Sequence, residues 1–309
     1  MTTPEIDSPI ICVGAPFIDD IIFPDGRSEM CVLGGGSIHA AAGMRIFDAP
    51  GVPFGYMGND MPERPYQALA NALDLSGMIR LNQPHIRAWQ LFEWDGRRTE
   101  LYRVDDPVTY QMGPPIDAIP ASLRHTQHVY LLTVGRVFAE WRAAFPEAML
   151  FWEPHQPYMQ AANAPEFRRL LKQVDVVSPN LLEAQSLYGL ETANELVDAM
   201  LEDGAPVVVL RMGEHGSIAA TPDKRVTLPA YPIEPVVDVT GAGNTYCGAF
   251  FAMWSQHRDL ELAACAGATA ASFAIEQIGV ALIPLDEDVI AERDQRLAWM
   301  QAHAEITHA

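Results

Sequence analysis

Residues 236–250, VVDVTGAGNTYCGAF, have the composition and spacing best suited to chemistry. Gly241, Ala242 and Gly243 carry almost no side chain, so their backbone N–H groups can approach a ligand closely. A helix of small and apolar residues is predicted to begin near Asn244, and a helix N-terminus carries partial positive charge. The pattern therefore predicts an anion hole for a phosphate or a transferring phosphoryl group. A close-packed turn into a helix capped by Asn244 explains the same residues without a ligand.

Two further groups follow buried apolar runs. Glu153 and His155 come directly after the run at residues 149–152, and Arg211 follows residues 206–210. Ligands bind outside the carboxyl ends of strands in open α/β sheets, so Glu153 and His155 are candidates for a substrate contact, with a role at the end of a helix as the alternative. Arg211 is a candidate for neutralising phosphate charge, with a surface ion pair as the alternative.

Asn180 and Glu183 are three residues apart at the start of a predicted helix. This spacing fits a capping box, in which Asn180 caps the helix and Glu183 reaches back to its N–H. It also places both side chains on one face, so it favours capping and ligand binding equally. Gly213 and Gly216, which follow a predicted strand, are most simply explained by a β-turn.

The elements that must position these residues alternate along the chain. Short apolar runs rich in β-branched residues predict strands, and the segments between them predict helices. Such alternation predicts a parallel sheet with helices on both faces. Strands are predicted at residues 9–13, 128–133, 149–152, 174–178 and 206–210, with another ending at Asp238, and helices at 40–47, 166–173, 181–188 and 195–202 and as a close-packed pair within 243–278.

Residues 18–32 and 87–104 break this alternation. The first segment is strand-like and is interrupted by Pro24-Asp25-Gly26, and in the second Asp95-Gly96 lies between two strand-like arms, which is a strong hairpin signal. Together they predict a small antiparallel sheet that projects from the main domain. Its aromatic residues need a cover, which a ligand, the main domain or a second subunit can supply. They are Trp89, Phe92, Trp94 and Tyr102.

The composition restricts the partners. Among 309 residues, 40 are acidic and 20 are basic, and the formal charge of −20 argues against a nucleic acid or an anionic membrane surface. No apolar run approaches the roughly 20 residues of a membrane helix, and residues 1–7 lack the features of a signal peptide. Cys12, Cys31, Cys247 and Cys265 form no CxxC pair, so reduced thiols and a cytoplasmic location are expected.

The stretch from Asp238 to Asn244 resembles the C-terminal signature of the PfkB, or ribokinase-like, sugar and nucleoside kinases, usually D-T-x-G-A-G-D. Asp238, Thr240 and the glycine turn fit this signature, whereas Val239 replaces its Thr. In that family the final Asp is the base that takes the proton of the acceptor hydroxyl, and here Asn244 stands in its place. An Asn amide has no useful basicity near neutral pH, so the resemblance implies a kinase with slowed turnover.

The resemblance extends along nearly the whole chain. The matching positions are Gly14 with Asp19, the di-glycine motif at 34–36 with His39 in place of the usual Asn, Gly58-Asn59-Asp60, Glu153-Pro154-His155 in place of D-P-N, Asn180 with Glu183 for N-x-x-E, and Gly213 with Gly216 for G-x-x-G. The family fold that this implies is α/β and ribokinase-like, a central, mostly parallel sheet with helices on both faces. It forms a single domain over residues 1–309, with a β-sheet lid at about 17–33 and 86–105.

The resemblance also implies the roles of individual residues. The residues expected to bind the substrate are Asp19, Gly35, Gly36, His39, Asp60 and Glu153. Those expected to contact the transferring phosphoryl group and the attacking hydroxyl are Gly241, Ala242, Gly243 and Asn244. Those expected to bind the nucleotide are Asn180, Glu183, Arg211, Gly213 and Gly216. Mg²⁺ is expected near Glu183, and a monovalent cation such as K⁺ near Asp238 and Thr240.

The expected function is ATP-dependent phosphoryl transfer to a hydroxyl of a sugar or nucleoside, with ATP and Mg²⁺ as cofactors. The alternative is a catalytically inactive regulatory protein that binds nucleotide or sugar on the kinase fold. An NAD-dependent oxidoreductase ranks last, because Gly14 and the residues after it lack the glycine fingerprint. A homodimer formed through the lid would cover the lid aromatic residues.

Overall fold

The structure is a computed structural model that describes residues 9–94 and 98–308. Fourteen strands lie in these ranges, numbered in chain order. They are β1 (Ile10–Val13), β2 (Phe17–Ile22), β3 (Ser28–Gly34), β4 (Gly51–Met57), β5 (Met78–Arg80), β6 (Arg87–Phe92), β7 (Arg98–Tyr102), β8 (His128–Thr133), β9 (Met149–Pro154), β10 (Val176–Val177), β11 (Val208–Arg211), β12 (Ser217–Ala220), β13 (Lys224–Leu228) and β14 (Glu305–His308).

Ten α-helices lie in the same ranges. They are α1 (Gly36–Ile46), α2 (Glu63–Ala72), α3 (Pro107–Met112), α4 (Gly135–Ala144), α5 (Ala164–Leu171), α6 (Leu181–Tyr188), α7 (Ala193–Glu202), α8 (Ala242–His257), α9 (Leu260–Ala274) and α10 (Glu287–Ala302). None of the helices in the described ranges has the length and apolarity needed to cross a membrane.

The large sheet has the strand order β14-β13-β12-β11-β10-β9-β8-β1-β4-β5. The strands from β11 to β5 are parallel, and β12, β13 and β14 add antiparallel strands at one edge. The predicted parallel sheet is therefore confirmed, with an antiparallel extension. Parallel strands are covered on both faces, which is why their sequences are apolar runs without alternation.

Strand β1 shows how the two faces of the sheet are covered. Ile10 and Cys12 point to the face that packs against α1, α8 and α9, whereas Ile11 and Val13 point to the opposite face and its helices. All four side chains are buried. One strand therefore contributes to two separate apolar cores.

The Ala-rich helices lie unusually close together. A Cβ on Gly43 of α1 would overlap the backbone of Thr245 in α8, and a Cβ on Gly248 of α8 would overlap the backbone of Ala40 in α1. Only glycine permits this approach of two helix backbones. The contact brings the N-termini of α1 and α8 side by side, which positions the candidate site.

The second, small sheet has the order β3-β2-β6-β7 and is built from the two segments predicted to form the lid. It is mixed rather than antiparallel, since β2 pairs in parallel with β6 while both outer pairs are antiparallel. Two hairpins that meet side by side through their first strands produce this order. The predicted turn at Asp95-Gly96 lies outside the described residues. The assignment of residues 1–309 to one domain stays a prediction.

The lid aromatic residues have different surroundings. Phe92 stacks on Phe23 with ring centroids 6.1 Å apart, and the guanidinium of Arg103 lies 4.9 Å from the Trp89 ring. Tyr102 faces the main domain, and Trp94 is 81% exposed. The lid itself therefore covers two of the four rings. All four cysteines are free thiols, as predicted.

Candidate active site

A cavity of about 1100 Å³ lies between the small sheet and the carboxyl ends of the parallel strands. Its walls bring together all the predicted site residues except Asp60 and Asp238. The predicted residues that line it are Asp19, Gly35, Gly36, His39, Glu153, Asn180, Glu183, Arg211, Gly213, Gly216, Thr240, Gly241, Ala242, Gly243 and Asn244. Residues from both halves of the chain thus converge on one space.

The glycine turn is held from below by a histidine. Gly241 has a left-handed backbone with φ of +75°, and a Cβ there would overlap the ring of His39. Helix α8 begins at Ala242, and the Gly241 carbonyl accepts the first helical hydrogen bond from Thr245 N at 2.9 Å. The helix N-terminus therefore opens at the turn, as an anion hole requires.

The helix begins at Ala242, near Asn244 as predicted, but Gly241 occupies the capping position, which rules out the alternative that Asn244 caps the helix. The predicted strand before the turn is wrong. Residues 236–239 form no strand, because the N–H of Val237 bonds to the carbonyl of Ile275 at the end of α9 instead of to a neighbouring strand. The exposed Val236 and Val239 line the cavity.

Asn244 lies against the N-terminus of α1. A Cβ on Gly36 would be 3.1 Å from Asn244 Nδ2 and would overlap Leu132, so the absence of a side chain at Gly36 makes room beside the amide. The di-glycine motif and the glycine turn therefore meet at Asn244. A hydroxyl bound here would lie close to the N-termini of both helices.

Among the buried polar atoms that have no hydrogen-bond partner in the described residues, one belongs to His39 and one to Asp238, both near the turn. They are Nδ1 of His39 and Oδ2 of Asp238, whose other oxygen accepts from Thr240 N at 2.9 Å. Burial lowers the pKa of His39 to about 4, against the opposing effect of Asp238. His39 is therefore neutral at pH 7. Both atoms lie next to the anion hole, where a cation would satisfy the free carboxylate oxygen.

Arg211 forms an ion pair that is buried, so the alternative that it forms an ion pair on the protein surface is wrong. Its Nη2 lies 2.8 Å from Glu153 Oε1 and donates to Ser178 O at 2.9 Å. Tyr130 O–H donates to the other oxygen of Glu153. A Cβ on Gly243 would overlap Arg211 Nη1, so the guanidinium reaches the anion hole.

The same contacts bear on the predicted role of Glu153. Both its carboxylate oxygens already have partners, and the residue is only 3% exposed. Burial, followed by the charge of Glu153, raises the pKa of Tyr130, so the phenol remains a donor. Glu153 lines the cavity, but its contacts orient Arg211 and do not leave a carboxylate facing a substrate.

The capping box at α6 is confirmed. Asn180 Oδ1 accepts from Glu183 N, and Glu183 Oε2 accepts from Asn180 N, each at 2.8 Å. Burial raises the pKa of Glu183, while the charge of Arg211 opposes this. In the described part of the chain, no three His, Cys, Asp or Glu side chains cluster as ligands of one metal ion. A cation at Glu183 would therefore take further ligands from water and from a bound phosphate.

Asp19 and Asp20 point in opposite directions, as expected for neighbours in a strand. Asp19 lines the cavity, and its Oδ1 accepts from Gln90 Nε2 at 2.9 Å. Asp20 pairs with Arg103 and accepts from Cys31 N. The choice of Asp19 over Asp20 as the residue that faces the cavity is confirmed.

The structure does not place Asp60 at the cavity, in contrast to the prediction that it contacts the substrate. It lies outside the cavity walls, and its Oδ1 accepts from His85 N at 2.5 Å while Oδ2 lies 3.5 Å from Arg87 Nη2. These contacts join the loop after β4 to the beginning of β6. Asp60 therefore connects the main sheet to the small sheet.

At its other end the cavity becomes a slot beside the predicted G-x-x-G turn. Gly213–His215 forms one turn of 3-10 helix, and a Cβ on Gly216 would overlap the backbone at Leu228. Most of the side chains at this end are apolar or aromatic, a lining suited to a nucleotide base. Sequence reasoning did not identify its walls, which include Tyr231, Ala268, Ala271, Ser272 and Ile275.

The lid and α3 contribute further residues that were not predicted from the sequence. Gln90, Glu100, Phe17 and Tyr102 of the lid line the cavity, as does Gln111 of α3. On β2, β6 and β7 the four lid residues alternate with outward-facing ones, so the two-residue period of the strands was the signal available for finding them.

Comparison with known proteins adds three findings. The family model described as pfkB family carbohydrate kinase matches residues 151–287. A cytidine kinase of Thermococcus kodakarensis is 27% identical over 270 residues, which cover 82% of this chain and 90% of that protein. The nucleoside kinase of Methanocaldococcus jannaschii is 22% identical over 87% of this chain and 91% of that protein.

Solved structures share the fold. An E. coli protein assigned as a ribokinase II, in complex with ATP and Mg²⁺, superposes with a TM-score of 0.75 at 17% identity, over 94% of this chain and 99% of that one. A double mutant of Vibrio cholerae O395 fructokinase, with fructose, ADP and potassium bound, has a TM-score of 0.76 at 19% identity over 94% and 99%. The ribokinase-like fold predicted from the sequence is confirmed.

Proposed function

Because a model of the pfkB family of carbohydrate kinases matches residues 151–287 and a cytidine kinase resembles 82% of the chain, we propose that this protein is a member of that family and transfers the γ-phosphoryl group of ATP to a hydroxyl of a sugar or nucleoside. One observation carries the proposal. The open N-terminus of α8 at Gly241, the Arg211 guanidinium and the Asn244 amide meet in one cavity of about 1100 Å³, a volume that accommodates a nucleotide and an acceptor.

In this proposal the acceptor lies between the lid and the N-terminus of α1. Asp19 holds its hydroxyls, the backbone at Gly35 and Gly36 allows close approach, and Asn244 orients the attacking oxygen. The new O–P bond forms as the bond from the γ-phosphorus to its bridging oxygen breaks, which releases ADP. The acceptor proton leaves to a phosphoryl oxygen or to water, because Asn244 cannot take it.

Charge stabilisation performs most of the catalysis in phosphoryl transfer, so the loss of a base slows such an enzyme without abolishing its chemistry. The N–H groups at residues 241–243 and the Arg211 guanidinium supply that stabilisation. Bound Mg²⁺ would neutralise phosphate charge, and Glu183 and Asn180 are the residues that would hold it, through water. The slot beside Gly213 and Gly216 receives the base of ATP.

A monovalent cation such as K⁺ fits the turn on the other side. Asp238 Oδ2 is buried without a partner among the described residues, and backbone carbonyls of the same turn are hard oxygen ligands. Asp238 and Thr240 would hold the ion. Its charge would raise the positive potential at the anion hole.

The second candidate is a regulatory protein that binds nucleotide or sugar without turnover. Asn244, whose amide has no basicity, is the observation that favours it. Both candidates require the same cavity, so binding alone does not separate them. A cytoplasmic location, supported by the free thiols, is common to both.

The test combines calorimetry of Mg·ATP with ADP release over a panel of sugars and nucleosides, for wild type, Asn244→Asp and Asn244→Ala. Asn71→Asp, an exposed change on α2, is the matched control. Wild-type turnover that Asn244→Ala loses supports the kinase. Binding without turnover, with activity only in Asn244→Asp, supports the regulator, and no nucleotide binding contradicts both.

We also propose that two copies associate through their lids. Met30, Trp94 and Leu101 are 53%, 81% and 50% exposed, and Leu101 lies on the face of the small sheet away from the cavity. Sedimentation velocity should show a dimer that Leu101→Lys dissociates and Val108→Lys, an equally exposed site on α3, does not. A monomeric wild type at micromolar concentration would contradict the proposal.

A further inference from the structure

The lid presents one face of its sheet to the cavity. Every second residue of β2, β6 and β7 lies on this face. Five of them line the cavity: Phe17, Asp19, Gln90, Glu100 and Tyr102. Gln90 and Glu100 are directly opposite each other in the register of β6 and β7. Their side chains therefore meet above the place where we propose that the acceptor binds.

The described hydrogen-bond donors on this face are used within the lid and α3. Gln90 Nε2 donates to Asp19 Oδ1 at 2.9 Å and to Glu100 Oε1 at 2.7 Å, which engages both of its hydrogens. Tyr102 O–H donates to Glu100 Oε2 at 2.5 Å, and Gln111 Nε2 donates to the Tyr102 oxygen at 2.6 Å.

One acceptor on this face has no partner. Gln90 is 3% exposed, and its Oε1 is buried without a hydrogen bond among the described residues. A carboxylate oxygen has room for more than one donor, so Glu100 can accept again after it has bonded to Gln90 and Tyr102. A buried amide oxygen without a donor is unfavourable, and a ligand that donates a hydrogen bond to it would remove this penalty.

We infer that Gln90 and Glu100 determine which acceptors this kinase takes. They select an uncharged acceptor that presents O–H or N–H donors to the lid, such as a free sugar or a nucleoside, and they reject an acceptor that carries a phosphate ester. A phosphate has only acceptor oxygens and negative charge to offer, and it would meet the Glu100 carboxylate and the Gln90 carbonyl. This inference rests on the proposed function.

The test is calorimetry of the full chain with D-ribose, D-fructose, cytidine and adenosine, and with ribose 5-phosphate and fructose 6-phosphate. We expect the best uncharged compound to bind at least tenfold more tightly than the better phosphate ester. Equal or tighter binding of a phosphate ester would overturn the inference. So would binding of Mg·ATP with no binding of any uncharged compound, an outcome that leaves the nucleotide half of the proposed function intact.

Variants assign the effect to the lid. Glu100→Gln should weaken acceptor binding tenfold or more and raise the KM for the acceptor, with the KM for ATP unchanged. Glu29→Gln, the same change at an exposed position on β3, is the matched control. Gln90→Met is a second, independent variant, which removes the unpartnered amide oxygen of Gln90 and should also weaken acceptor binding. Far-ultraviolet circular dichroism checks the fold of each variant. Acceptor binding in Glu100→Gln and Gln90→Met equal to that in Glu29→Gln would overturn the assignment, whether or not turnover is detected.

Discussion

Arg211 and Glu153 form a buried ion pair beneath the glycine turn, with 2.8 Å between Nη2 and Oε1. Arg211 is the last residue of β11 and Glu153 the second-last of β9, and β10 separates the two strands. Side chains from two strands thus meet across a third, at the edge of the sheet where ligands bind. The ion pair holds the positively charged Arg211 guanidinium at the anion hole. Hydrogen bonds from Tyr130 to Glu153 and from Arg211 to Ser178 O hold the pair in place.

Arg211→Met should destabilise the fold strongly. It leaves the Glu153 carboxylate buried without its cation, which typically costs about 3–5 kcal/mol, and the double variant Arg211→Met/Glu153→Gln should recover part of that loss. Urea unfolding measures both. Arg136→Met is the control, because Arg136 and Glu140 form an exposed pair at the same 2.8 Å whose loss costs about 1 kcal/mol or less. Equal losses at the two sites would contradict the role of burial.

Gly241→Ala should damage the anion hole. An alanine at this position would have to keep the left-handed φ of +75°, and its Cβ would overlap the buried His39 ring. Gly189→Ala is the control, because Gly189 has a φ of +68° with open space around its Cβ, so that only the backbone strain of about 1–2 kcal/mol remains. Thermal unfolding should show a larger loss for Gly241→Ala, and calorimetry a loss of Mg·ATP affinity that Gly189→Ala does not share.

Acidification should destabilise the protein partly through His39. Burial lowers the pKa of His39 to about 4, while an unfolded His titrates near 6.5. Between these values the unfolded chain binds the proton and the folded chain does not, so the free energy of unfolding falls as pH falls from about 6.5 to 4, by up to about 3 kcal/mol. His39→Asn should flatten the pH dependence of urea unfolding in that range. His125→Asn, at an exposed site, should leave it unchanged, and an identical slope in both variants would contradict the prediction.

Potassium should stimulate turnover through Asp238. The unpartnered Oδ2 of Asp238 gives the ion a carboxylate oxygen, and Asp238→Asn removes its charge. We expect the rate of ADP release to be higher in KCl than in choline chloride for wild type, and equal in the two salts for Asp238→Asn. Asp117→Asn, on a surface turn away from the cavity, should keep the wild-type response. A response of Asp238→Asn equal to that of wild type would place the cation elsewhere.

Local sequence patterns determined much of the fold and of the glycine-rich motifs. The strand at residues 128–133, the helix at residues 181–188 and the capping box of Asn180 with Glu183 are each the product of neighbouring residues. Helix periodicity, capping and turn chemistry act over three or four positions, so they are visible in the sequence. The order of the motifs along the chain was also sufficient to predict the ribokinase-like fold, which the solved structures share.

Only the tertiary structure decided which partner each polar residue has. Gln90 meets Asp19 across 71 positions of the chain, and Arg211 reaches Glu153 through the packing of three strands. Asp60 and the parallel pairing of β2 with β6 were misjudged for the same reason, since strand order and side-chain direction depend on contacts between distant segments. Burial then sets the charge of His39 and the free energy of the ion pair, and burial exists only once the chain has folded around them.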